Sequence, residues 1–192
     1  MIQRQTFQNR VGHPSLSRFF AKVVSMLATV LGLAGTAFAS DVGNDNRAPE
    51  VPDESLVAPE FNKVSFHGYA QGFQIYTWNG VDWGKATPLA TLFDSEGNIV
   101  IHHFAGPTWQ SNSGSLVVGA LFHPPVTVDV NSIPWLLLKS VRNEGNGILA
   151  DVTFIQRVNT VGGLAPRTPG IKIGDVANVP YTADYFFYRQ SN

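Results

Sequence analysis

"GNGILADVTFIQR", residues 145–157, can be read in two ways, and the choice between them decides the fold. Gly145-Asn146-Gly147-Ile148-Leu149-Ala150 has the G-x-G-x-x-A spelling of a dinucleotide-binding turn. That turn needs a helix N-terminus straight after the glycines, so that backbone N–H groups meet a pyrophosphate. No helix start is present there: "ILADVTFIQR" alternates apolar and polar positions and is rich in β-branched and aromatic residues, as strands are. The glycines therefore read as a hairpin loop, which removes the nucleotide site and points to antiparallel sheet.

The same grammar extends in both directions. Short apolar runs at Lys63–His67, Ala70–Trp78, Leu89–Phe93, Ile99–Phe104, Ser115–Phe122, Trp135–Val141, Ile148–Arg157 and Tyr181–Tyr188 are separated by turn signals. Those signals include "NGVDWG", "DSEGN", "AGPTWQSNSG" and "GGLAPRTPG", where Gly supplies positive φ and Pro presets it. "IPWLLLKSV" is the one ambiguous run, and its length and flanking turns favour a strand. No later window carries an apolar stripe of helical period. The expectation is one all-β domain, an antiparallel β-sandwich or barrel.

The front of the chain differs in kind. Arg4, Arg10, Arg18 and Lys22 lead into an acid-free apolar stretch from Val23 to Leu33, and Ala37-Phe38-Ala39 forms a small-x-small cleavage site. Residues 1–39 thus read as a secretory signal for the general route, delivering a periplasmic or extracellular protein. The apolar stretch is too short for a membrane span. Residues 40–59 are acidic and proline-bearing and read as a flexible lead, with the all-β domain over 60–192. The signal takes four of the 13 Lys and Arg and none of the 14 Asp and Glu, so the mature chain has a net charge near −5. That disfavours nucleic acid as a partner. Zero cysteine excludes disulfides and thiol chemistry.

Catalytic patterns are thin. "QSNSGS" lacks the G-x-S-x-G elbow. Metal binding would rest on His67, His102, His103 and His123, and strand alternation sends the adjacent His102 and His103 to opposite faces, so no metal site and no cofactor are expected. Asp151 and Asp184 interrupt predicted strands, and Asp184 shares a face with Thr182, Phe186 and Tyr188. Trp83 and Trp109 fall in predicted loops, where aromatics can stack on sugars or anchor a partner.

"GFQIYTW", "HFAGPTW", "IPWLLL", "VTFIQRVNTVGG" and "VPYTADYFFY", in this order, resemble the secreted family of domain of unknown function 3455, from about Glu50 onward. Relatives often place cysteines where this chain has Trp78 and Ile171; their joint absence implies that the Trp78 strand packs near the "TPGI" segment. Residues in the family blocks that could reach a site are Gln74, Tyr76, His103, Thr108, Trp109, Gln156 and Arg157. Gln156 and Arg157 are neighbours on one strand and face opposite ways, so Arg157 sits at a rim or pairs with an acid such as Asp184 or Asp151.

The first expectation is an exported, non-catalytic protein binding a glycan or cell-surface ligand through His103, Trp109, Tyr76, Gln74, Thr108, Arg157 and Asp184. The second is an envelope hydrolase using His103 with a carboxylate such as Asp184. The third is a purely structural envelope protein.

Overall fold

The computed structural model describes residues 48–191. Eight strands succeed one another: β1 (Asn62–Thr77), β2 (Thr87–Phe93), β3 (Ile99–Phe104), β4 (Thr108–Ser111), β5 (Leu116–Leu121), β6 (Leu136–Glu144), β7 (Val152–Gly162) and β8 (Val176–Gln190). Each pairs antiparallel with its sequence neighbour, and β8 returns to β1, so the sheet is a closed barrel. Of the two architectures the sequence left open, the sandwich is thereby corrected. Closure has a local cause. Register shifts at Val64/Phe66, Leu92/Phe93, Val118/Gly119, Val152/Phe154 and Val158/Val161 insert residues that bend and twist the strands. Gly72 lets β1 and β2 approach: a Cβ there would collide with the Leu89 carbonyl oxygen and the Ala90 Cα.

The stretch 145–157 forms the expected hairpin, with residues 145–151 joining β6 to β7 and no helix after the glycines. Strand boundaries otherwise lie within a few residues of expectation, with four differences: the two runs on either side of Gly68-Tyr69 are one long strand, the expected strand Ile148–Arg157 is shifted to Val152–Gly162 with 148–151 in the turn, β8 begins already at Val176, and β4 was missed. Its four residues are flanked by Gly106-Pro107 and "SNSG", and that turn chemistry masks so short a strand. Trp109 is consequently a strand residue in the barrel interior, not a loop aromatic.

Alternation sorts the side chains into an interior and an outer wall. Ala70, Ala90, Leu92, Ile101, Trp109, Val117, Leu138, Ile155, Ala183, Tyr185 and Phe187 fill the interior. Val64, Leu137, Phe154, Val158, Phe186 and Tyr188 form a second apolar cluster on the outer wall. It is covered by the segment before β1. There a short 3₁₀ turn, Glu54–Leu56, is capped by Asp53, whose carboxylate accepts from Ser55 N at 2.9 Å, and Leu56 is fully buried. Gln156 Nε2 donates to the Leu56 carbonyl at 2.7 Å, while Tyr188 OH donates to Gln156 Oε1 at 2.8 Å. The second half of the expected flexible lead is therefore a strap docked on the wall; its first half and the expected signal, up to residue 47, lie outside the described residues. Among the described residues no helix is long and apolar enough to cross a membrane.

Candidate functional site

Five of the seven candidate residues meet inside the barrel. His103 on β3 stands opposite Trp109 on β4, and their rings stack in parallel with centroids 4.2 Å apart. Tyr185 meets both edge-on, at 5.5 Å from His103 and 5.6 Å from Trp109. The Tyr185 hydroxyl lies 3.5 Å from that of Tyr181, and Gln74 packs beside Tyr181 under the Gly163 turn. Tyr76 donates from its hydroxyl to the Gly163 carbonyl at 2.6 Å. Arg157 stands opposite Leu136 and Tyr185 on the inner face, and its charge is felt at Tyr76, His103 and Tyr181.

Burial dominates this group chemically. Desolvation pushes the His103 imidazole down to about 3, against a hydrogen bond from Nδ1 to the Thr108 carbonyl at 2.9 Å that favours the proton, with Arg157 adding to the depression. His103 is neutral across the physiological range, so Nδ1 carries the hydrogen and Nε2 the lone pair. Burial likewise raises the Tyr76, Tyr181 and Tyr188 phenols. The depressed imidazole makes stability sensitive to acid. Below the ordinary value of 6.5 the unfolded imidazole takes up a proton that the folded one refuses until about 3. The contribution is thus full above pH 6.5 and is lost as pH falls through that window. Melting temperature against pH should fall less steeply between pH 6.5 and 4 in His103→Asn than in the wild type; parallel curves would contradict the burial account.

The other two candidates lie elsewhere. Thr108 is buried but alternates away from the interior, and only its carbonyl serves His103. Asp184 alternates with the inward Ala183 and Tyr185 and faces out. The barrel wall separates it from His103, which corrects the pairing on which a His103–Asp184 hydrolase rested. Of the two readings left open for Arg157, pairing with an acid is corrected: no carboxylate among the described residues pairs with it, and it is part-buried, its Nε and Nη2 donating to the Pro134 carbonyl at 3.2 and 2.7 Å.

Asp184 has a different set of neighbours. Register places Phe93, Tyr69, Asp184 and Val158 side by side across β2, β1, β8 and β7, with His67 and Phe186 one pair further along. His67 stacks on Phe186 at 4.0 Å and leans on Tyr69 at 4.4 Å. Its Nε2 is buried without a hydrogen bond, 3.8 Å from Asp184 Oδ1. Asn159, in the left-handed region at φ 50° where β7 bulges, donates from Nδ2 to Asp184 Oδ2 at 2.8 Å. Tyr69, Phe93, Asn159 and Asp184 border an open cleft of about 310 Å³ that also takes in Gln71 and Thr182, with His67 beside Asp184 at its edge but not in its lining. Sequence reasoning weighed His67 only as a metal ligand and passed over Asn159. The available signal was an Asn inside a strand run, where such a residue marks a bulge able to adopt positive φ.

Trp83 is half-buried, its ring edge-on to Trp78 at 5.5 Å and its Nε1 donating to the Thr168 carbonyl at 3.0 Å. The "QSNSGS" turn is a hydroxyl cluster: Ser111 Oγ lies 2.8 Å from Ser113 Oγ and 2.7 Å from Ser115 Oγ, which in turn accepts from Leu149 N at 3.2 Å. Among the described residues no three His, Asp or Glu side chains gather as metal ligands.

The family profile described as "Protein of unknown function (DUF3455)" matches residues 84–189, more than half of the chain. The chain belongs to the DUF3455 family. No curated protein and no solved structure matches it. The matched part of this DUF3455 chain carries His103, Trp109, Arg157, Asn159 and Asp184, while Tyr69, Gln74 and Tyr76 precede it on β1. The neighbourhood implied by the family's cysteines is present: Gly170 packs on Trp78, so closely that a Cβ added to it would lie 2.7 Å from the Trp78 Cβ.

Proposed function

We propose that this DUF3455 protein is exported and acts by binding, without catalysis, taking a polyhydroxylated ligand of the kind that glycans and cell surfaces present, in the outer-wall cleft at Asp184. The observation that carries the reading is the Asp184 carboxylate, held in the cleft by Asn159 on one oxygen and flanked by His67 on the other. An ionised carboxylate only accepts, so its remaining lone pairs suit adjacent hydroxyl donors. Asn159, Gln71 and Thr182 supply the complementary polar groups, while Tyr69 and Phe93 border the cleft with ring surface for a sugar's C–H face. A volume of about 310 Å³ is at the small end of ligand clefts and suits a single ring. Glycoside cleavage needs a second carboxyl facing the first, and none of the described residues bordering the cleft supplies it. Export rests on the signal-like residues 1–39.

Calorimetric titration with a panel of mono- and oligosaccharides and solubilised envelope material tests this. Saturable binding should weaken at least about tenfold, or about 1.4 kcal/mol, in Asp184→Asn and in Tyr69→Ala. A wild-type protein that binds nothing in the panel, or variants that bind as well as it does, would refute the reading.

A further inference from the structure

The two ends of the barrel differ in what they show to solvent. Where β1, β5 and β7 finish, the loops 78–86, 122–135 and 163–175 expose seven large apolar side chains, whereas the loops 94–98, 112–115 and 145–151 at the opposite end expose Ile148 alone. Val81, Val130, Ile171 and Ile173 are the most open, at 84, 77, 99 and 76% exposure. Apolar surface concentrated in this way marks an interaction face. The loops that carry it are tied together. Trp83 Nε1 donates to the Thr168 carbonyl at 3.0 Å, Gly174 N to the Trp78 carbonyl at 2.9 Å, and Ile133 N to the Gly162 carbonyl at 2.9 Å.

Each tip also meets its own backbone. Asn79 Oδ1 accepts from Val81 N at 2.8 Å and from Asp82 N at 2.9 Å, and Asp129 Oδ1 accepts from Asn131 N at 2.9 Å. Asp175 Oδ2 accepts from Ile171 N at 2.7 Å and from Lys172 N at 2.9 Å. A turn whose N–H groups are satisfied from within loses less on leaving water. The same chemistry turns the acids of these loops inward: Asp82 takes Asn79 Nδ2 at 2.6 Å, and Asp129 takes Ser132 Oγ at 2.8 Å. Lys85, Arg167 and Lys172 are exposed, and among the described residues none of them pairs with a carboxylate.

A protein partner is met by aromatic, Met and Arg anchors. Aliphatic tips on separate loops, with internally satisfied turns and free cations between them, match a phospholipid interface instead. Lys172 stands between Ile171 and Ile173, so its ammonium can stay among headgroups while its neighbours enter apolar surroundings. We propose that this end of the barrel docks on a phospholipid surface. Val81, Ile171 and Ile173 enter the boundary between headgroups and acyl chains, and Lys85, Arg167 and Lys172 meet headgroup phosphates. This surface shares no residue with the Asp184 cleft.

Flotation of the purified, processed protein with vesicles tests the proposal. Vesicles of equal parts phosphatidylcholine and phosphatidylglycerol should carry the protein, and added salt should weaken the binding. Ile171→Ser/Ile173→Ser should bind at least about tenfold more weakly. It should melt where the wild type does, because both side chains are already in water. Lys85→Gln/Lys172→Gln should bind the mixed vesicles less tightly than the wild type does. No flotation with the mixed vesicles, or undiminished binding in the isoleucine variant, would overturn the proposal. So would a dimer in sedimentation velocity that the isoleucine variant dissolves, formed in place of vesicle binding. Saccharide binding lost in Asp184→Asn would stand unaffected by such a failure, so the two proposals fail separately.

Discussion

Trp109→Ala should cost about 3–5 kcal/mol and lower the melting temperature by about 10 °C or more, as expected for emptying the largest side chain from a packed core. Trp109 lies flat on His103, meets Tyr185 and Phe187 edge-on and presses its six-membered ring toward Gly119. Its neighbours are fixed in strands, so the cavity cannot collapse cheaply. Trp83 provides the contrast. It is half-buried in the β1–β2 loop, and Trp83→Ala should cost well under half as much. Chemical denaturation of both variants, monitored by circular dichroism, separates the two roles. A stable Trp109→Ala protein that had lost only ligand binding would return Trp109 to the status of a recognition aromatic.

Leu56→Ala is the second large effect, at about 2–5 kcal/mol. The residue precedes the barrel, in a stretch whose composition suggests a tether, yet its side chain is fully buried and its carbonyl takes the Gln156 amide. Losing the side chain should free the strap as a unit, because Gln156, buried on the wall, would lose its cover along with its partner. Limited proteolysis should then cut within residues 48–60 of Leu56→Ala while sparing the wild type. Equal resistance in the two proteins would mean that the strap contributes little to holding the wall.

Local pattern carried much of this structure into the sequence, and long-range register carried the rest. Alternation placed His102 and His103 on opposite faces, as it did Gln156 and Arg157, and it put Asp184 with Thr182, Phe186 and Tyr188; all three assignments hold, since each depends only on neighbours along one strand. Barrel closure was not legible. It depends on bulges and on the pairing of β1 with β8, whose partners Tyr69 and Asp184 are far apart in sequence. The same distance hid the candidate site. Asp184 was visible as an acid inside a strand, but its neighbours His67 and Asn159 come from two other strands and are delivered by register and by a bulge. The pairing behind the second expectation, His103 with Asp184, needed both on one side of the sheet, whereas a closed wall gives adjacent positions of β8 to different compartments. Leu56 failed to stand out for a related reason: one buried leucine amid Pro, Asp and Glu has no periodicity to announce it.

We propose ligand recognition on the outer wall at Asp184, while the conspicuous His103–Trp109 pair is core. Backbone amide NMR during titration with the tightest-binding saccharide tests that division most directly. Shifts concentrated at Tyr69, Gln71, Asn159, Thr182 and Asp184, with Trp83 unmoved, are the predicted result. Shifts centred on the loop around Trp83, or spread evenly over the barrel, would contradict it.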